Sequence, residues 1–441
     1  TPFCRRCRTS SMKTLPSHSK KLWSSFPRLA YTVAFLIVLS GCTTVLPRAD
    51  LPLITNESCG DQVKVVTVPL PVIATSPNEG ITVGALSAFL IHNQKDEVYS
   101  LLAPQINHNK NFGFTGTLYG SVNPTADQNI EFNLSQSQKK NFDYEARIRD
   151  TSFLNGNLEL KGFLGWFADG SSRFFGFHAR TPNELETNYT NREITYNLSA
   201  TWFLGRRYYL ELGHRFRSVA IGSGAIRSVP FITDKFPAQD VPGVDGFTTH
   251  APRISLIYSS YDSKTLPTYG GYARITFEPT IKALGGAEDY RHYEVELKGY
   301  VPHDESKRFI SVFRLMYNQT LGDTDNSKVP FLEQSILGGE NTLRGYGRNR
   351  FIDNSFLLLN LEERIRLFRW EIFNVTADWE LAPFVDLGAV MESFDKASSR
   401  NFEFNPGVGF RATVRPNIVG RVDIGVGKDG PAVYVGLGYP F

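Results

Sequence analysis

Along most of this chain apolar and polar residues alternate. From Ile81 to Phe441 the dominant period is two. In 356–368, Leu357, Leu359, Leu361, Ile365 and Leu367 point one way, and Asn360, Glu362, Arg364 and Arg366 point the other. In 293–298, Tyr293, Val295 and Leu297 alternate with Glu294, Glu296 and Lys298, and in 421–426, Val422, Ile424 and Val426 alternate with Arg421, Asp423 and Gly425. Such a pattern puts successive side chains on opposite faces of a strand. A soluble sandwich alternates too. Segments of about ten residues separated by turn signals, however, suit a barrel with one face in lipid and the other on a wet lumen. Lipid offers no partner to an open sheet edge, so the sheet must close.

The expected fold is all-β: a transmembrane antiparallel up-and-down β-barrel of sixteen strands. Strands are expected at 79–91, 97–106, 112–122, 191–204, 206–217, 251–261, 270–280, 289–301 and 306–318, then at 353–368, 379–391, 403–415, 418–427 and 432–441. Three more candidates lie within 128–168 (128–138, 142–151 and 157–167). Parity, with both chain ends in the periplasm, admits two of them. Residues 168–190, 218–250 and 319–352 are long external connections, the last being the sixth external loop. Within it 337–351, LGGENTLRGYGRNRF, holds Gly338, Gly339, Leu343, Arg344, Gly345 and Tyr346. Its Gly and Asn residues tolerate φ > 0, so this loop can fold back on itself.

Composition fits the same picture. The chain has 441 residues, 41% hydrophobic and 13% aromatic, with 33 Phe, 19 Tyr and 37 Gly. A mean hydropathy of −0.23 argues against a helical membrane protein. The formal charge of +3 is too small to argue for nucleic acid as a partner. The four cysteines all precede residue 60, which excludes a disulfide framework for the body. Cys4 and Cys7 form a C-x-x-C ahead of Met12 and are read as upstream sequence. His92, His108, His178, His214, His250, His292 and His303 fall in no Ser/His or metal-ligand spacing, so neither an enzyme, a cofactor nor a metal is expected.

The N-terminus reads as an export signal. Lys13, Lys20, Lys21 and Arg28 precede an apolar run, Leu29 to Leu39, too short to span a bilayer. Leu39-Ser40-Gly41-Cys42 resembles the bacterial lipobox, which implies cleavage before Cys42 and lipid on its sulfur. The expected division is 1–41 upstream residues and signal peptide, 42–70 a lipidated tether with Pro47, Pro52 and Pro69, and 71–441 the barrel. At the other end, Tyr434-x-Gly436-x-x-Tyr439-x-Phe441 resembles the sorting signal of outer-membrane barrels. On strict alternation Val433, Val435, Leu437, Tyr439 and Phe441 share one face.

Taken in order, several stretches resemble the outer-membrane protein 85 superfamily, the bacterial surface antigen barrels of the BamA/TamA type. They are Pro71 to Gly84, Arg173-Phe-Phe-Gly176, Asp262 to Gly271, Leu343-Arg344-Gly345-Tyr346, and Phe384-x-Asp386-x-Gly388. Lys264 stands where the third of these patterns usually has Arg. The resemblance implies that the large loop dips into the lumen and that Arg344 pairs with Asp386. Alternation agrees in placing Phe384, Asp386 and Gly388 on one face, opposite Val385 and Leu387. The family's periplasmic POTRA modules, which receive client chains, find no room in the 42–70 segment, so a barrel-only member is expected.

The resemblance implies a Gram-negative outer-membrane protein that inserts or translocates polypeptides through a loop-plugged lumen. Its partners would be outer-membrane lipid, the barrel-assembly machinery during insertion, and client polypeptides or a separate periplasmic protein. The alternative is a passive channel or structural surface barrel with the family fold and no translocase activity.

Overall fold

The computed structural model describes residues 42–47, 62–92, 98–323, 326–372, 375–414 and 418–441. Residues 1–41, expected to be upstream sequence and signal peptide, and most of the interval before the barrel lie outside these residues. Eighteen strands form a closed antiparallel barrel. They are β1 (Gln62–Ser76), β2 (Gly80–His92), β3 (Val98–Asn109), β4 (Gly113–Thr125), β5 (Gln128–Ser137), β6 (Phe142–Ser152), β7 (Leu158–Phe174), β8 (Thr187–Phe203) and β9 (Tyr208–Ser223). Then follow β10 (Phe247–Ser259), β11 (Gly270–Thr280), β12 (Tyr290–Pro302), β13 (Phe309–Gly322), β14 (Ser355–Ile372), β15 (Val375–Met391), β16 (Glu403–Val414), β17 (Ile418–Gly427) and β18 (Gly430–Leu437). Each strand pairs with its sequence neighbour, and the ring closes where Thr75 of β1 meets Val433 of β18. A further short strand, Cys42–Pro47, pairs with the beginning of β1.

The expected sixteen strands are thus corrected to eighteen, and one physical error accounts for both additions. Pro47, Pro52, Pro69 and Pro71 made the segment up to residue 70 read as a tether, with 71–84 leading into a first strand at 79–91, yet 62–76 already forms β1. Once that strand is counted, parity requires all three candidates of 128–168, which are β5, β6 and β7. Pro69 and Pro71 are tolerated because residues 68–74 have a registered neighbour only on the β2 side. The large loop, 323–354, is correspondingly the seventh connection at its end of the barrel, not the sixth.

The alternation maps onto the two faces as expected. Leu256, Ile275, Leu361 and Leu367 are exposed on the outside, while Asn360, Glu362 and Arg364 are buried inside. The long connections 175–186, 224–246 and 323–354 all emerge at one end. There Phe174, Tyr189, Val219, Ile232, Phe247 and Phe331 form an apolar core that seats the loops on the barrel wall. Among the described residues there is no POTRA-like module.

Candidate functional site

The seventh loop descends into the lumen, and its sequence explains its path. A two-stranded ribbon, Ser335–Leu337 with Phe351–Asp353, closes its neck. Gly338 and Gly339 follow at φ of +113° and +105°, a region that disfavours side chains. The turn is fixed by Thr342, whose hydroxyl accepts from the Gly338 N–H at 3.0 Å, and by the Tyr346 carbonyl, which accepts from the Gly339 N–H at 3.1 Å. Leu337, Leu343 and Tyr346 pack with Phe351, Phe356, Leu358 and Val390 of the neck and wall.

Arg344 stands at the bottom of this turn, 1% exposed. Its Nε and Nη2 donate to the two carboxylate oxygens of Asp386 at 2.9 and 2.7 Å, and Nη1 donates to Glu362 at 2.8 Å. The backbone N–H of Arg344 also donates to Asp386, at 3.0 Å. The Phe384 ring lies 3.4 Å from the guanidinium carbon. Asn360 ties the pair to the turn by donating to Asp386 at 2.7 Å and to the Thr342 carbonyl at 2.8 Å. The pairing expected between Arg344 and Asp386 is therefore present in the geometry, in bidentate form.

Around that pair lies a larger buried network that the alternation placed indoors without assembling. Arg411 bridges Glu362 at 3.2 Å and Asp423 at 2.8 Å, Arg364 meets Glu362 at 3.1 Å, and Arg421 meets Asp423 at 3.0 Å. Glu340 of the loop approaches Arg421 at 3.3 Å. Four guanidinium groups thus face four carboxylates, which is what charges removed from water require. Burial by itself would lower the pKa of Arg344, but Asp386, Glu362 and Asp423 more than reverse that and hold it above its ordinary value.

Several glycines make the approach possible, and sequence reasoning singled out only some of them. A Cβ on Gly388 would press on Leu337, Leu343 and Leu358 at 3.2 Å, so this residue makes room for loop side chains. The loop backbone is admitted by β17 instead: a Cβ on Gly425 or Gly427 would lie 2.5 Å from the carbonyl oxygen of Arg344 or Gly345. Gly345 itself touches Gly427 in the same way. Tyr346 then donates to Glu403 at 2.5 Å, and its carbonyl accepts from Tyr434 at 2.6 Å.

Two further anchors carried no motif. Glu333, in the descending arm, takes a bidentate pair from Arg215 at 3.0 and 2.7 Å, a bond from Arg217 at 2.5 Å and one from Tyr290 at 2.7 Å. Arg215 and Arg217 are themselves held by Glu278 and Glu193. In the returning arm, Arg350 meets Asp429 at 2.6 Å and donates to Thr181 and Asn183 of the 175–186 connection. Only the inward alternation of Arg215, Arg217 and Glu278 could have suggested the first of these anchors.

The remaining motif residues are distributed as follows. Arg173 donates to the Asn78 carbonyl at 3.0 Å, and Asn78 donates to the Arg348 carbonyl of the loop at 3.1 Å. Asp262 orders its turn through the Thr268 and Tyr269 N–H groups, and Lys264 reaches Glu159 at 3.1 Å. At the C-terminus the expected alternation stops at Leu437. Val435 and Leu437 face outward and Gly436 lies against Arg421, but Gly438 at φ +80° turns the last residues inside. Tyr439 lies under Arg364, ring centre 3.5 Å from the guanidinium carbon, and donates to Glu380 at 3.0 Å. Phe441 packs against Tyr300, Ile310 and Val312, 5.6 Å from the Arg344 guanidinium. The backbone of Cys42 belongs to the short strand; its side chain lies outside the described atoms.

A family model described as the Omp85 superfamily domain matches residues 126–426. Among solved structures, BamA from Haemophilus ducreyi lacking POTRA domains 1–3 is similar at 12% identity and a TM-score of 0.50, over 84% of this chain and 74% of that one. CdiB from Escherichia coli is similar at 12% identity and a TM-score of 0.51, over 90% of this chain and 67% of that one. At such identities the likeness is one of fold. No curated protein sequence matches the chain.

Proposed function

Because the chain belongs to the Omp85 superfamily, we propose that it is an integral outer-membrane barrel that inserts or translocates polypeptides through a lumen plugged by its seventh loop. The observation that carries this reading is the Arg344 lock. A merely structural barrel has no need to bury a loop guanidinium against Asp386, Glu362 and Phe384 at the bottom of a folded-in turn. A plug held by discrete ion pairs is a two-state element, seated or released, of the kind that gated passage needs. The role proposed is one of transport, in keeping with the family.

Export by the 1–41 segment, lipid on Cys42 and recognition of Tyr434, Gly436, Tyr439 and Phe441 by the assembly machinery belong to the same proposal. The clients are polypeptides of the envelope, delivered directly or by a separate periplasmic protein.

Quantitative comparison of outer-membrane and secreted proteins with and without this chain tests the reading. Selective loss of particular surface or secreted proteins is the expected result. An unchanged protein profile, together with steady ion conductance of the purified barrel in a planar bilayer, would replace it with a passive channel.

A further inference from the structure

The edge of β1 that faces β18 has an unusual occupancy. The ladder from β1 to β2 runs through Pro69↔Ser87 and Pro71↔Ala85 without a break. A proline has no N–H to give to that ladder. Positions 69 and 71 therefore turn their backbone polar groups away from β2, toward the closure with β18. Because strand residues alternate in this respect, positions 63, 65, 67, 73 and 75 turn the same way.

These seven positions can be accounted for one by one. Val63, Val65 and Thr67 lie opposite Leu46, Thr44 and Cys42 of the short strand. Pro69 and Pro71 have no donor. Thr75 pairs with Val433. Of the seven, Ile73 alone retains a backbone N–H without a registered strand neighbour on this side among the described residues. Below Thr75↔Val433 the first and last strands share no further register.

We propose that Cys42–Pro47 is an intramolecular cap. It occupies the edge of the first strand by strand addition and, together with Pro69 and Pro71, closes that edge to strands of other chains. An unpaired strand edge is a template for any extended segment, and proteins blunt such edges with covering segments and prolines. Here both devices fall on the one side of β1 that closure leaves unpaired. Polypeptide handled by this barrel is then excluded from docking as an added strand on β1 while the cap is in place. The proposal rests on the strand registers and not on the transport reading, which survives its failure.

Amide exchange on the full chain, purified in detergent, tests it at residue resolution. Thr44→Pro removes the N–H that faces Val65. The expected result is that the amides of Val63, Val65 and Thr67 exchange at least about tenfold faster in this variant, while those of Val66 and Val68, which face β2, are unchanged. A synthetic peptide of residues 430–441 carrying a photo-crosslinker is expected to label β1 in the variant and not in the unmodified chain. Independently of any loss of folding, Val45→Cys with Lys64→Cys, in a chain with Cys4, Cys7, Cys42 and Cys59 all replaced by Ser, is expected to form a disulfide without denaturant. These two residues are partners in the register, at a position where Cα atoms approach most closely. Rapid exchange of Val63, Val65 and Thr67 in the unmodified protein, equal peptide labelling of both forms, or absence of the disulfide would each overturn the proposal.

Discussion

Phe384 carries the Arg344 guanidinium on its ring face at 3.4 Å, while Asp386, two residues further along the same inward face of β15, takes its edge with both oxygens. One strand thus reads the cation in two ways, by ring quadrupole and by forked hydrogen bonds. Gly407 permits the arrangement, since a Cβ there would lie 2.1 Å from the Phe384 ring.

Arg344→Ala is expected to cost about 3–5 kcal/mol at the lock, because Asp386 and Glu362 keep their burial and lose their partner. The readout is protease cleavage or thiol labelling within 337–351, which rises, and the unfolding temperature of the purified barrel, which falls. Arg344→Lys is expected to restore little, since one ammonium cannot take Asp386 in a fork and reach Glu362 as well. Labelling of the Lys variant at the unmodified level would show that charge alone seats the loop.

Glu333→Gln is expected to loosen the descending arm while the Arg344 turn stays seated, a loss of about 3–5 kcal/mol for a carboxylate this deeply paired. Glu333 lies among strands β9, β11 and β12, away from the Arg344 cluster, so the two substitutions should add in a double-mutant cycle to within about 0.5 kcal/mol. A larger coupling would mean that the loop seats as one unit.

The same residue predicts a pH dependence. Burial pushes the Glu333 carboxyl up, but Arg215 and Arg217 more than reverse this and hold it well below the ordinary carboxylate range. With the folded value depressed, the contribution to stability is complete above the unfolded pKa and fades as pH falls toward the folded one. Acidification below the ordinary glutamate range should therefore release the descending arm. Glu333→Gln should remove that part of the acid response; an identical acid profile in the variant would assign the response to other groups.

Tyr439→Ala and Phe441→Ala separate sorting from packing. A signal read only by the assembly machinery matters in the cell and leaves the refolded barrel unchanged. The inward placement of both rings, against Arg364 and against Tyr300, Ile310 and Val312, predicts a lower unfolding temperature even after refolding in detergent with no machinery present. Unchanged stability of both variants would restrict these residues to sorting.

Cys42→Ser is expected to abolish incorporation of a clickable palmitate analogue into the chain. Persistent labelling would locate the lipid elsewhere or remove the anchor from the account.

Period-two patterning disclosed the barrel, and the Arg344–Asp386 pair was legible through resemblance, because the loop motif and the strand motif are similar to a pair of motifs that meet in the superfamily, while alternation added only that Asp386 faces inward. The strand count was not legible, because Pro69 and Pro71 look like strand breakers until one knows that their missing donors face an unpaired edge. Parity then turned that single misreading into the loss of a second strand. Glu333 was hidden for a different reason. Its partners, Arg215, Arg217 and Tyr290, are scattered over β9 and β12, and their convergence depends on the barrel's curvature, which no local pattern encodes. Tyr439 and Phe441 continue the alternation perfectly well in sequence, and only the reversal at Gly438 takes them off the outer face.

Three attachments of the seventh loop also have a mechanical consequence. Glu333 grips β9 and β12, Arg344 grips β14 and β15, and the Arg348 carbonyl holds the turn between β1 and β2 through Asn78. These attachments are spread around the circumference. A hollow ring of eighteen strands could flatten under lateral pressure from the bilayer, whereas one braced from within by a single strut tied to three arcs of its wall resists becoming oval. Releasing that strut would soften the wall.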